Sequence, residues 1–203
     1  MIVKVCGMRD AENIRAIEAA GADWIGFIFY EHSPRYVSET PSYLPDHAKR
    51  IGVFVNATFD EIIKKAQQLQ LHYIQLHGHE SPQLCIALRA KGLGVIKVFS
   101  LHTTSDLVQT EAYANCCDYF LFDTPCSGYG GSGELFDWKI LAHYHGNTPF
   151  LLSGGIQPDS LAALSHFYHP QWAGIDLNSG FEIKPGLKSV SLLHTFILQF
   201  KHI

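Results

Sequence analysis

Short runs of β-branched and aromatic residues alternate along this chain with longer stretches whose apolar residues recur at helical spacing. The runs predict strands at Ile2–Val5, Trp24–Phe29, Ile51–Val55, Tyr73–Leu76, Gly94–Phe99, Tyr119–Phe122, Phe150–Leu152 and Ala173–Leu177. The stretches between them predict helices at Ala11–Ala20, Phe59–Leu69, Ser81–Lys91, Thr104–Ala114, Phe136–His143, Pro158–His166 and Leu187–Phe200, with a short piece near Pro41–Lys49. Each strand–helix unit takes about 25 residues, close to the ~30 of a minimal βα unit. Strands as continuously apolar as Ile51-Gly52-Val53-Phe54-Val55 belong in a parallel sheet covered by helices on its outer side. An open, doubly wound sheet alternates in the same way, but eight units favour an α/β fold closed as a (β/α)₈ barrel, the TIM barrel. No linker, low-complexity tract or charge block interrupts the pattern, so one domain over residues 1–203 is expected.

Composition narrows the partners. A net charge of −4 without a dense Lys/Arg run argues against nucleic acid. No segment is apolar enough for a membrane span, and the chain opens on a strand-like run rather than a signal sequence. The five cysteines, at 6, 85, 116, 117 and 126, show no CxxC pair and no disulfide framework. A reducing, cytoplasmic setting follows, with Cys85, Cys116 and Cys117 read as packing residues and Cys126 as a loop thiol. A monomer and a homodimer fit the sequence equally.

In a parallel barrel the chemistry gathers at the carboxyl ends of the strands. Here those ends carry Cys6-Gly7, Ser33-Pro34-Arg35-Tyr36, His77-Gly78, Asp123-Thr124-Pro125, Ser153-Gly154-Gly155 and Asp176-Leu177-Asn178-Ser179-Gly180, with Gly130-Gly131-Ser132-Gly133 in the sixth loop. Glycine after strands 7 and 8 lets the backbone approach a ligand, and N–H groups at a following helix start cradle phosphate. Each pair alone would read as a turn; both in those two loops point to a phosphate site. Cys6 shares a strand face with Lys4, a cation that would lower a thiol's pKa, although Asp176 on the neighbouring last strand is an alternative partner for Lys4. Asp123 ends an apolar run and is either a turn residue or a desolvated acid. Arg35 suits a ligand carboxylate if it is not simply a solvated surface charge. His77-Gly78-His79-Glu80 invites a metal, but no distant partner ligands stand out, so His77 is read as lining the site. Phe27, Phe29 and Tyr30 read as core.

Together these segments resemble phosphoribosylanthranilate isomerases of tryptophan biosynthesis. The resemblance rests on Lys4-Val5-Cys6-Gly7, Gly26-Phe27-Ile28-Phe29-Tyr30 with Ser33-Pro34-Arg35-Tyr36-Val37, Gly52-Val53-Phe54-Val55-Asn56 and Leu76-His77-Gly78. It continues through Gly130-Gly131-Ser132-Gly133 with Phe136-Asp137-Trp138, Ser153-Gly154-Gly155-Ile156, and Asp176 through Glu182 running into Pro185-Gly186. It implies an Amadori rearrangement of N-(5-phosphoribosyl)anthranilate to 1-(2-carboxyphenylamino)-1-deoxyribulose 5-phosphate, without metal or organic cofactor. Cys6 takes the role of general base and Asp123 that of general acid. Arg35 is assigned to the anthranilate carboxylate. Gly154, Gly155, Asn178, Ser179 and Gly180 are placed around the phosphate, with His77 and Asp176 lining the site. Asn178 and Ser132 stand where the family usually has Ser and Thr, and both keep hydrogen-bonding capacity.

Rival readings remain among sugar-phosphate barrels. An epimerase would need metal ligands on several strands, and the histidine-pathway aminoaldose isomerase would carry Asp in place of Cys6. A catalytically silent sugar-phosphate binder is the alternative from outside enzymes, and a turnover assay separates it.

Overall fold

Ile2 through Val5 pairs in parallel with Gly174 through Leu177, and this pairing of the first and last strands closes an eight-stranded barrel. The computed structural model describes residues 1–123 and 138–203. In chain order the strands are β1 (Ile2–Val5), β2 (Trp24–Ile28), β3 (Lys49–Phe54), β4 (Tyr73–Leu76), β5 (Gly94–Ser100), β6 (Tyr119–Asp123), β7 (Phe150–Leu152) and β8 (Trp172–Leu177). All eight neighbouring pairs run parallel. The fold is thus the expected (β/α)₈ barrel.

Alternation along each strand divides the apolar residues into two layers. Trp24, Ile51, Ile96, Val98, Leu121 and Leu151 fill the barrel's interior, where the Trp24 ring stacks on Tyr73 at 4.8 Å and meets Tyr119 edge-on at 5.1 Å. Val3, Val5, Ile25, Phe27, Ile74, Leu76, Phe120 and Phe122 belong to the larger cluster between strands and helices.

The helices begin where their capping residues permit. In α1 (Ala11–Ala19), Asp10 accepts from the Asn13 N–H at 2.8 Å. Thr58 and Glu61 form a reciprocal capping box on α2 (Phe59–Leu69), which buries Ile62, Ala66 and Leu69 at one-turn spacing. Ser81 caps α3 (Pro82–Arg89), with Pro82 in the first turn. The later helices are α4 (Leu161–His166) and α5 (Val190–Phe200), whose buried face is Leu193, Phe196, Ile197 and Phe200.

Several expected helices take another form. Thr104–Tyr113 is a 3₁₀ helix, and its inward residues Leu107, Thr110 and Tyr113 recur every three positions, the 3₁₀ repeat. Trp138–His143 and Pro158–Ser160 are also 3₁₀. The stretch near Pro41–Lys49 forms no helix. Pro41 and Pro45 interrupt it, and the Glu18 carboxylate of α1 accepts the N–H groups of His47 and Ala48 at 2.7 Å each. Leu187 does not begin the last helix. It lies in an antiparallel hairpin, β9 (Glu182–Lys184) and β10 (Leu187–Lys188), turned at Pro185-Gly186 with Gly186 at φ +81°. Thr124, Pro125, Cys126, Gly130 through Gly133, Phe136 and Asp137 lie outside the described residues.

Candidate active site

Lys4 and Cys6 alternate with Val3 and Val5, and so point into the barrel while the valines face the helices. In the β1–β8 register Lys4 stands beside Asp176, and its Nζ donates to Oδ1 at 2.8 Å, with the lysine fully buried. Lys4 therefore pairs with Asp176 and also acts on Cys6. Burial disfavours the Lys4 ammonium, but Asp176 and Cys6 hold its pKa above the usual value. The Cys6 thiol is 3% exposed, and burial pushes its pKa up against the pull of Lys4 and Lys188. The bare face of Gly26 on β2 makes room for this thiol. A Cβ there would stand 2.8 Å from the Cys6 sulfur and 3.2 Å from its Cα.

Asp123 ends β6, and its carboxylate lies 3.5 Å from His77 Nε2. His77 follows β4, and its Nδ1 is 3.3 Å from the Gln75 amide nitrogen, inside the same strand face. Gln75 thus orients the imidazole toward Asp123. The adjoining His79 is exposed, and Glu80 turns away to accept N–H bonds from Asn56 and Gly78 at 2.9 Å, so His77, His79 and Glu80 do not converge on one point among the described residues.

On the other side of the mouth, the Ser33-Pro34 turn holds Arg35, whose N–H reaches Ser33 Oγ at 3.2 Å. Its guanidinium grips Glu182 with two bonds, Nε to Oε1 at 2.9 Å and Nη2 to Oε2 at 2.6 Å. Among the described residues Nη1 of Arg35 has no acceptor. Lys188 closes the group, donating to Glu182 Oε1 at 2.8 Å and Asn178 Oδ1 at 2.6 Å. Burial raises the Glu182 carboxyl, but Arg35 and Lys188 overcome it and bring the pKa down to about 2.

Gly154 and Gly155 follow β7 with φ of +80° and +68°. Successive left-handed residues expose backbone N–H groups at little steric cost. After β8, Ser179–Phe181 makes one 3₁₀ turn in which a Cβ on Gly180 would stand 2.4 Å from the Ile156 carbonyl oxygen. Gly180 therefore lets the loops after β7 and β8 touch.

A model of the family described as N-(5'phosphoribosyl)anthranilate (PRA) isomerase matches residues 3–199. The chain belongs to that family. An N-(5'-phosphoribosyl)anthranilate isomerase of Phocaeicola vulgatus is 63% identical over 201 residues, covering 99% of this chain and 98% of the relative. The phosphoribosyl anthranilate isomerase structure from Thermotoga maritima superposes with a TM-score of 0.84 at 32% identity, over all of both chains. Another isomerase crystal structure, solved in complex with reduced 1-(o-carboxyphenylamino)-1-deoxyribulose 5-phosphate, gives a TM-score of 0.81 at 30% identity, again over all of both chains.

Of the residues singled out in the sequence, Cys6, His77, Asp123 and Asp176 stand at the carboxyl ends of β1, β4, β6 and β8. Gly154, Gly155, Asn178, Ser179 and Gly180 sit in the two loops beyond β7 and β8. Arg35 is linked by hydrogen bonds to Asn178 through Glu182, to which the sequence reading gave no role, and Lys188, which it missed. Their signal was the Pro185-Gly186 turn, whose two arms carry Glu182 and Lys188. Gln75 was missed too, because a lone amide inside an apolar strand carries no pattern.

Proposed function

We propose that this chain performs the Amadori rearrangement of N-(5'-phosphoribosyl)anthranilate, with Cys6 as base and Asp123 as acid in one domain spanning residues 1–203. The observation that carries the reading is the placement of a buried thiol and a buried carboxyl at two strand ends of one barrel mouth, in a chain of this family. The reaction needs a proton given to the furanose ring oxygen and another taken from the carbon beside the resulting imine, so two groups on separate strands suit it. Asp123 donates to the ring oxygen, the ring opens to the imine, and Cys6 as thiolate removes the carbon proton to give the enolamine, which ketonises.

Two features prepare these groups. His77, set by Gln75, is within reach of Asp123 to receive or return its proton. Lys4 lies beside the Cys6 sulfur and favours the thiolate. Arg35 takes the anthranilate carboxylate through the Nη that Glu182 leaves unused. The backbone around Gly154-Gly155 and Ser179-Gly180 takes the phosphate, since residues 153–157 and 178–181 contain no Lys or Arg. The proposed steps need no metal or organic cofactor.

The test follows the anthranilate fluorescence of the phosphoribosyl substrate on addition of purified protein with excess chelator. Loss of fluorescence with formation of the carboxyphenylamino-deoxyribulose phosphate is expected. Activity that disappears with chelator and returns with one divalent metal would overturn the cofactor-free reading.

A further inference from the structure

Three cysteines that the proposed reaction does not use meet outside the barrel. Cys85 is on the buried face of α3, while Cys116 and Cys117 occupy the turn that leads into the amino end of β6. Their sulfurs all lie within 4.8 Å of one another, and all three residues are buried. Among the described residues no other set of three His, Cys, Asp or Glu side chains converges in this way.

Buried thiols ordinarily serve as small apolar side chains. Two observations go beyond packing. Neighbouring residues on a helix or strand point apart, yet the Ala114–Cys116 turn aims the sulfurs of both Cys116 and Cys117 toward α3. The spacing also suits ligation. For three sulfurs within 4.8 Å of each other, some point lies no more than about 2.8 Å from all of them. An inward shift of about half an ångström would reach the ~2.3 Å of a metal–thiolate bond.

We propose that Cys85, Cys116 and Cys117 form a three-sulfur site for a soft, thiophilic cation of low coordination number, of which monovalent copper is the best fit. Soft thiolates select cuprous, zinc and iron–sulfur centres, and structural zinc takes four protein ligands. No fourth His, Cys, Asp or Glu joins this group among the described residues, and burial keeps water from completing the shell. Cuprous ion is satisfied by three sulfurs. Ligation replaces S–H bonds with Cu–S bonds, passes the protons to solvent and changes no oxidation state. Ala114 and Asn115, both exposed, give the ion a way in through the turn.

The test titrates reduced, metal-free protein with cuprous ion under anaerobic conditions against a competing chelator. The readouts are the near-ultraviolet sulfur-to-copper charge-transfer band and the copper bound per chain. One ion per chain is expected. A variant combining Cys85→Ala, Cys116→Ala and Cys117→Ala should bind at least about 100-fold more weakly, beyond the 10–100-fold typical of losing an outer-shell partner. Cys6→Ala and Cys126→Ala should keep the band. A second measurement needs no variant: alkylation of wild-type protein and peptide mapping should show copper protecting Cys85, Cys116 and Cys117. The proposal is overturned if the triple variant binds like wild type, if protection falls on Cys6 or Cys126, or if no ion is drawn from the chelator.

Discussion

Two buried lysine–carboxylate pairs lie on opposite faces of the strands, and their surroundings differ. Lys97 alternates with the interior residues Ile96 and Val98, so it points outward, where Nζ donates to Glu80 at 3.2 Å and to the carbonyls of Leu76, Gly78 and Val98 at 2.8–3.2 Å. Glu80 in turn accepts from the backbone of Asn56 and Gly78. That pair ties the loops after β3 and β4 to β5. Lys4 points inward and, among the described residues, donates to no backbone carbonyl; its partner is Asp176, beside the Cys6 thiol. A buried charge surrounded by backbone partners is committed to structure. One with a single partner retains hydrogen-bonding capacity and a field that act on its neighbours.

The sharpest way to break this contrast is to remove the proposed reacting groups. Cys6→Ala and Asp123→Asn should each lower the chemical rate by about 10²–10⁴, or ~3–5 kcal/mol of barrier. Binding of a reduced product analogue should stay near normal in both. Single-turnover fluorescence reads the chemical step directly. If Cys6→Ala retained more than about a tenth of the rate, it would fall outside that range and Cys6 would not be the base.

The outer pair should fail differently. Glu80→Ala leaves the Lys97 ammonium buried without its carboxylate and frees the backbone N–H groups of Asn56 and Gly78, which should cost about 3–5 kcal/mol of stability. Urea unfolding measures that loss, and kcat of the folded fraction should hardly change. A Glu80→Ala protein as stable as wild type, or one that lost rate without stability, would erase the distinction between the two pairs.

The Lys4–Asp176 pair was one of the arrangements the sequence left open, because strand 8 closes beside strand 1, whereas the Lys97–Glu80 pair was invisible although its strand was plain. The strand runs are legible because interior and helix-facing layers both demand apolar side chains, and Cys6, Asp123 and Asp176 stand out because they interrupt such runs at their ends. Lys188 was hidden because Leu187 was read into the apolar periodicity of α5, when the Pro185-Gly186 turn puts it in a hairpin, and Glu182 had no role until that hairpin set it against Arg35. The Cys85, Cys116 and Cys117 grouping depends on α3 packing beside the turn before β6, a contact no local pattern records. Pro41–Lys49 failed as a helix because the carboxylate of Glu18, more than twenty residues away, claims its backbone.

A smaller effect sharpens the role of the inner pair. Asp176 raises the Cys6 pKa, whereas Lys4 lowers it. Asp176→Asn removes the first influence and leaves Lys4 with Cys6 as its nearest counter-ion. The limb of kcat/KM that rises as Cys6 ionises should therefore move to lower pH. In Glu80→Ala the same limb should stay where it is in wild type. A shift to higher pH in Asp176→Asn would mean that Asp176 acts on Cys6 through Lys4's position rather than through its own charge.

The smallest expected effect concerns the group that holds Arg35. Glu182 has a folded-state pKa of about 2, below its ordinary value of 4.5, because Arg35 and Lys188 favour its ionised form. A depressed carboxyl contributes stability that is fully present above the unfolded pKa and is lost as pH falls through the folded one. Comparing wild type with Glu182→Gln by urea unfolding at a series of pH values cancels the carboxylates common to both. The stability difference should be constant above about pH 5 and should shrink between about 4.5 and 2, the window set by the two pKa values. A difference that stayed constant down to pH 2 would show that Glu182 acts through shape and neutral hydrogen bonds. Arg35 would then be fixed by its Ser33-Pro34 turn rather than by charge.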